Sequence, residues 1–322
     1  MSETCFSNLP NFREVGGGNL VNKDGDKVRS GVLYRSSRTD FLTQEEVNTF
    51  IGFGFKSIID MRNRSEFERA DGAKLLGNYY EPFVLKRGNA TPLKPSLRWG
   101  RKLKKDMKNA EKQKDDSGDP QFIGKRYMTN LLTRPFFMHL FYKVNFICRY
   151  LSLILLGIDW LLGTHLFAKY FAWHLINSRS LVIQYVDMLE YGKYVIKDIL
   201  QLLLNEENLP TVIHCAHGKD RTGLVVAVVL ACIDVDEEDI FADYAESEAG
   251  LAPIKKRVIK EIGKYGLDEK FSSAEAKTMQ EVSMEIKKRY GSWNNYIEST
   301  GFTREDQKRL KEVLLVKQTT SD

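Results

Sequence analysis

Residues 212–223 read VIHCAHGKDRTG, with a β-branched apolar run before them and the apolar stretch LVVAVVLACI directly after. The order is strand, polar loop, helix. Working outward, VLYRS at 32–36 reads as a strand, LTQEEVNTFIGF from Leu42 has helical spacing with Thr43 as N-cap, and KSIIDMR from Lys56 reads as a buried strand. NYYEPFV around Tyr79 adds an extended segment expected to end at Pro82, and one helix is expected from about Leu181 to Asn205. Amphipathic helices continue to Val316. The alternation predicts an α/β fold with a mostly parallel central sheet flanked by helices. Ligands in such sheets sit beyond the carboxyl ends of the strands, which is where Cys215 falls.

The loop from Cys215 to Arg221 can curl its backbone amides around one point and aim the positive end of the following helix at it. That point suits an oxyanion. Gly218 permits a turn that other residues resist, and Gly223 lets the helix pack closely. Arg221 supplies a planar fork for two phosphate oxygens. Amides, dipole and guanidinium together favour the thiolate of Cys215, the form that attacks. The expected reaction is in-line displacement at phosphorus, with Arg221 and the amides of Ala216, His217, Gly218, Lys219, Asp220 and Arg221 stabilising charge on the equatorial oxygens. Thr222 can donate its hydroxyl to the departing sulfur, and His214 braces the loop. Lys219 is read either as a second cation for a multiply charged substrate or as a solvated lysine. His217 lines the pocket or is merely exposed. No metal and no cofactor is expected.

Cys-x5-Arg followed by Thr, with His before the cysteine, resembles the signature of the cysteine-dependent protein tyrosine phosphatases. The longer HCAHGKDRTG is similar to the loop of the atypical mycobacterial B-type branch, which acts on phosphotyrosine, phosphoserine/threonine and phosphoinositides. NFREVGG at 11–17, GVLYRSS at 31–37, IIDMRNRSEFE at 58–68, RYM at 126–128, ADYAES at 242–247 and YGSWNNYIESTGF at 290–302 agree with it. The resemblance implies a helical lid over the active site. It also implies an aspartate soon after Pro-Phe as the general acid, but EPFVLKRG carries Val84, Leu85 and Lys86 there. Asp220 is then the expected acid, by similarity to the loop aspartate of myotubularin-type phosphatases, with Glu81 or an acid from the insertion as alternatives.

The remaining composition bounds the class. With 322 residues, 43% of them hydrophobic, the chain can bury a real core, and the resemblance brackets nearly all of it, so residues 1–322 are read as one phosphatase domain. The four cysteines are far apart without CxxC spacing, which indicates neither a disulfide framework nor a zinc site. No secretory signal is evident, and a reducing, cytoplasmic setting is expected. Net charge is only +5, yet eight basic and no acidic residues lie between Lys86 and Lys105. Residues 86–120 are accordingly expected to be a mobile basic insertion, either a solvated linker or a contact for an acidic partner or membrane.

Residues 134–180 are apolar, with only Lys143, Arg149, Asp159 and Lys169 charged between Phe136 and Ile176. Two helices broken near Gly157 to Gly163 are expected. A transmembrane span is disfavoured, since Asp159 at its centre costs about 2.5–3.5 kcal/mol and would put neighbouring strands on opposite sides of the bilayer. A helical lid or a hairpin in the membrane interface fits better. The expected function is hydrolysis of phosphotyrosine, and of phosphoserine or phosphothreonine, through a phosphocysteine. The alternative is a phosphoinositide phosphatase peripheral to an anionic membrane. A phosphate-binding module without turnover and a sulfur-transfer domain are weaker readings, the first leaving a reactive thiol and the second Arg221-Thr222 without a reason. The expected partner is a phosphorylated protein, with an anionic lipid surface as a second, and nucleic acid is not expected.

Overall fold

The computed structural model describes residues 5–93, 122–162 and 166–317. In chain order the strands are β1 (Arg13–Glu14), β2 (Lys27–Val28), β3 (Leu33–Ser36), β4 (Ser57–Asp60), β5 (Tyr80–Lys86), β6 (Asn89–Pro92), β7 (Gly124–Met128), β8 (Thr211–His214) and β9 (Leu315–Val316). The central sheet runs β1-β3-β8-β4-β7-β5-β6, with β3, β8, β4, β7 and β5 parallel and the two edge strands antiparallel. β2 and β9 form a separate antiparallel pair.

Helix α1 (Gln44–Gly52) starts as expected at Thr43, whose hydroxyl accepts from the Glu46 amide while Glu46 bonds back to the Thr43 amide. α2 (Arg64–Arg69) uses the same device, with Asn63 and Glu66. Then come α3 (Arg134–Lys143), α4 (Phe146–Leu162) and α5 (Leu166–Phe171). α6 (Leu181–Tyr191) and α7 (Lys193–Leu204) lead into β8, and α8 (Asp220–Cys232) leaves it. α9 (Glu237–Leu251), α10 (Lys255–Lys264), α11 (Ala276–Tyr290), α12 (Trp293–Ser299) and α13 (Arg304–Leu314) complete the chain.

Successive side chains of a strand point to opposite faces, and the central strands use this to build two cores. Ile58 and Val212 face the cluster around Leu9, Val47 and Phe50, whereas Ile59 and Ile213 face the larger one around α6, α7 and α8. Every residue of α8 from Arg221 to Cys232 is buried. This explains the apolar sequence of the helix from Leu224 onward, and it fixes the loop after β8 between two buried elements.

Three expectations change. β5 runs through Pro82 to Lys86, because the missing N–H falls before the β5–β6 ladder begins at Phe83. The expected helix from Leu181 to Asn205 is two, broken at Gly192, where a Cβ would stand 2.5 Å from the Leu131 side chain. The basic insertion does not begin at residue 86 as irregular chain: Arg87 and Gly88, both at positive φ, turn a hairpin between β5 and β6. The cations from Lys94 to Lys105 lie outside the described residues. In the apolar region α4 runs through Gly157 and ends at Leu162, within the range expected for the break, and α5 starts at Leu166.

Candidate active site

β8 lies between β3 and β4 and ends at His214, so Cys215 starts the loop at the carboxyl edge of the sheet and is 2% exposed. The loop carbonyls are held from outside. The Arg38 amide donates to Ala216 O at 3.1 Å, Asn11 Nδ2 to Gly218 O at 2.9 Å and to His217 O at 3.4 Å, and Arg35 Nη2 to Gly218 O at 2.9 Å. In a trans peptide the C=O and the following N–H point in opposite directions. The amides of His217, Gly218 and Lys219 are therefore turned into the loop. Gly218 has φ +68°, and a Cβ there would stand 2.1 Å from Ser36 O. Only glycine fits. Gly223 serves close packing as expected, since a Cβ would meet the Tyr244 ring at 2.7 Å.

Arg35 is fully buried and pairs with Asp243, and its Nη2 also reaches Ser247 Oγ at 3.1 Å. Arg13 donates to Asp243 O at 2.6 Å and pairs with Glu246 at 2.9 Å. NFREVGG, GVLYRSS and ADYAES thus meet as one scaffold behind the loop.

Arg221 is anchored by a residue that the sequence reading did not single out. Its Nη1 donates to Met61 O at 2.9 Å and to Glu66 Oε2 at 2.8 Å, and its Nη2 to Glu66 Oε1 at 2.7 Å. These bonds use three of the five guanidinium N–H groups. The two that remain, Nε–H and the second Nη2–H, share one edge, which is a fork spaced for two oxygens of a single anion. Burial disfavours the Glu66 charge, but Arg221 and the Asn63 amide hold its carboxyl below the ordinary value.

Beneath the loop, Asp60 and His214 are both fully buried. Asp60 accepts from Arg62 Nη2 at 2.7 Å, and Arg62 also bridges to Asp40 at 2.5 Å. Against the cost of burial, Arg62, His214 and Arg126 push the Asp60 carboxyl far down. His214 Nδ1–H donates to Cys215 O at 3.0 Å, and its Nε2 lies 3.6 Å from Asp60. Burial lowers the His214 pKa to about 4, so the ring is neutral at pH 7.

Lys219 is 1% exposed, so it is not a solvated lysine. Its ammonium donates to Asp220 Oδ1 at 2.8 Å and to Ser273 O at 2.9 Å. Burial works against its charge, yet Asp220 holds its pKa above the ordinary value. Asp220 also accepts from the Tyr185 hydroxyl, which lies 3.0 Å from the Tyr244 hydroxyl. Although burial favours its neutral form, Lys219 and Tyr185 keep the Asp220 carboxyl below its usual value. Thr222 is fully buried, and its hydroxyl has no hydrogen-bond partner among the described residues. His217 Nε2 meets Glu261 Oε2 at 2.9 Å, and Glu261 also pairs with Arg38 at 2.6 Å.

A cavity of about 340 Å³ opens over this loop. Of the loop, Ala216, His217, Asp220 and Arg221 line it, whereas the buried Cys215, Gly218, Lys219 and Thr222 do not. Phe136 and Phe137 of α3, Ile176, Tyr185 of α6, Arg38, Glu261 and Lys264 also line it. Glu81, Val84, Leu85 and Lys86 are not among its lining residues. Glu66, Asp71 and Glu261 are, and of these Glu66 carried a legible signal, the Asn63-x-x-Glu66 capping box. Among the described residues no cluster of three or more His, Cys, Asp or Glu side chains could hold a metal ion.

The protein is thus a mostly parallel α/β protein with a Cys-x5-Arg loop at the carboxyl edge of its sheet, inward amides and a braced arginine fork. Comparison with known families goes further: the model of the tyrosine phosphatase family matches residues 4–143 and 172–316, and the chain belongs to that family. It is similar to the triple specificity protein phosphatase PtpB of Mycobacterium tuberculosis (strain ATCC 25618 / H37Rv), 29% identical over 121 residues, covering 33% of this chain and 44% of the relative. It is also similar to the inositol diphosphatase DSP4 of Arabidopsis thaliana, 38% identical over 68 residues, covering 21% of this chain and 34% of the relative. The chain thus spans less than half the length of these curated relatives.

Proposed function

We propose that the protein is a cysteine-dependent phosphomonoesterase acting on phosphotyrosine, and on phosphoserine or phosphothreonine, in protein substrates. The observation that carries this reading is the free edge of Arg221 beside the inward amides of the loop after Cys215. The Cys215 thiolate attacks phosphorus in line, the S–P bond forms, and the ester P–O bond breaks with its electron pair going to the leaving oxygen. That oxygen takes a proton from Asp220. An arriving phosphate dianion adds like charge beside Asp220 and raises its pKa, so substrate itself favours the protonated acid. Water then attacks phosphorus and gives its proton to Asp220. The S–P pair returns to sulfur, eased by a hydrogen bond from the Thr222 hydroxyl, which has no other partner among the described residues. Lys219 acts through Asp220 and Ser273 rather than as a free second cation.

An aryl phosphate assay tests this. Turnover by the parent chain, lost in Cys215→Ser, with a phosphocysteine trapped by acid quench, is the expected result. An inactive parent chain would leave only phosphate binding.

A second reading, a phosphoinositide phosphatase working at a membrane surface, draws support from the cations Arg38 and Lys264, which line the same cavity as Phe136, Phe137 and Ile176. The relatives' printed names, a triple specificity protein phosphatase and an inositol diphosphatase, point in the same two directions. Turnover of phosphotyrosine peptides against inositol lipids separates the two readings. A cytoplasmic setting belongs to both, because Cys215 is a free thiol that a reducing compartment preserves.

A further inference from the structure

The family match leaves residues 144–171 uncovered, and these hold α4 and α5. None of them lines the cavity, which is bordered by α3 on one side of this segment and by Ile176 on the other. Among the described residues, the hairpin adds no side chain to the lining of the cavity.

Its surface is unusual for a protein facing water. Phe146 is 77% exposed, Ile147 70%, Leu161 72% and Leu162 71%, and Tyr150, Leu153 and Ile154 are also exposed. Beyond α5, Trp173 is 75% exposed. A helix apolar on nearly all sides belongs in a protein core or in lipid. Its two charges are both turned onto backbone. Arg149 Nη2 donates to the carbonyls of Tyr142 at 3.1 Å and Val144 at 3.2 Å, with its guanidinium 4.9 Å from the Tyr142 ring centre. Asp159 accepts from the amides of Leu166 at 2.8 Å and Phe167 at 2.9 Å, capping α5. The exposed cations Arg134, Lys143 and Lys169 stand around the apolar surface, and Asp159 is the only acid between Arg134 and Ile176.

We propose that the α4–α5 hairpin docks in the interface of an anionic lipid bilayer, whether the substrate is a phosphoprotein or a lipid. At 1.5 Å per residue the 17 residues of α4 reach about 26 Å, short of the ~30 Å hydrocarbon core, and α5 follows in the same hairpin. No helix among the described residues is long and apolar enough to cross a membrane. The apolar face therefore lies along the bilayer, with Lys143 and Lys169 at the headgroups. A two-fold copy fits less well, since it would set the cations of this segment against one another while its one acid, Asp159, already accepts from the Leu166 and Phe167 amides. The docked hairpin holds the cavity, one helix away through α3, near the membrane surface.

Flotation of the full chain with phosphatidylcholine vesicles, with and without phosphatidylserine, tests this. The parent chain is expected to float, most strongly with phosphatidylserine. The triple variant Phe146→Ser, Ile147→Ser, Leu161→Ser should bind at least tenfold more weakly and turn over a soluble aryl phosphate as the parent does. Lys143→Glu with Lys169→Glu should cost roughly fivefold per lysine on anionic vesicles only. Should the triple variant fail to fold, the emission difference between the parent and Trp173→Phe is expected to shift to the blue on vesicle addition. A parent chain that stays unbound to both vesicle types, a correctly folded triple variant that binds as the parent does, or an unshifted Trp173 emission would overturn the proposal. So would a vesicle-independent dimer that the triple variant dissolves, which would assign the face to a second copy.

Discussion

Glu66 grips Arg221 through two parallel hydrogen bonds of 2.7 and 2.8 Å, joining positions 155 residues apart. The carboxylate sets the plane of the guanidinium, so in the proposed mechanism the free edge is already oriented for the phosphate. Replacing Glu66 by Ala leaves a buried cation with a single anchor at Met61 O. A charged hydrogen bond is worth about 1.5–3 kcal/mol, so kcat/KM for an aryl phosphate should fall between about 10- and 100-fold. A loss of less than about twofold would show that Met61 O alone orients Arg221.

Asp220→Asn keeps the shape and removes the transferable proton. Alkyl phosphates, with poor leaving groups, should lose about 10²-fold or more in kcat, and nitrophenyl phosphate much less. Equal losses on both would assign Asp220 to holding Lys219 and Tyr185 in place.

His214 titrates at about 4 in the fold, against an ordinary value of 6.5. The unfolded chain therefore binds a proton in this window that the folded chain refuses, and stability rises with pH between them. The contribution is complete above about pH 6.5 and is lost as pH falls toward about 4, to a total of roughly 3 kcal/mol. His214→Asn cannot take up that proton. Its denaturant midpoint should change less over this window than the parent's, and parallel curves would remove His214 as the cause.

Gly218→Ala forces a Cβ to within 2.1 Å of Ser36 O at a φ that L-residues avoid. The loop must move, taking the Gly218 carbonyl off Arg35 and Asn11. Activity should drop by at least 10²-fold while the far-ultraviolet circular dichroism stays unchanged, since α8 and β8 are anchored by their own cores. Full activity in this variant would mean that the loop tolerates another conformation.

What the sequence made legible was local. The β-branched run before Cys215, the Thr43 cap of α1 and the need for glycine at 218 follow from steric and hydrogen-bonding rules that act within a few residues. The tyrosine phosphatase resemblance, carried by HCAHGKDRTG, agrees with the family match. What stayed hidden depends on distant segments meeting. The pairing of Glu66 with Arg221, the burial of Lys219 against Ser273, and the break at Gly192 under Leu131 are set by packing between elements. Pro82 misled for the same reason: whether a missing N–H matters depends on where the neighbouring strand begins.

The carbonyls of the loop are secured by Asn11, Arg35 and the Arg38 amide, the first of them 207 positions upstream of its partner at Gly218. A newly made chain cannot close this ring until its first and last thirds have found each other, so catalytic competence is acquired late, as a property of the finished molecule. Phosphatase turnover would then serve as a readout of completed folding, and a nick or truncation near residue 11 would silence the enzyme while leaving its largest core intact.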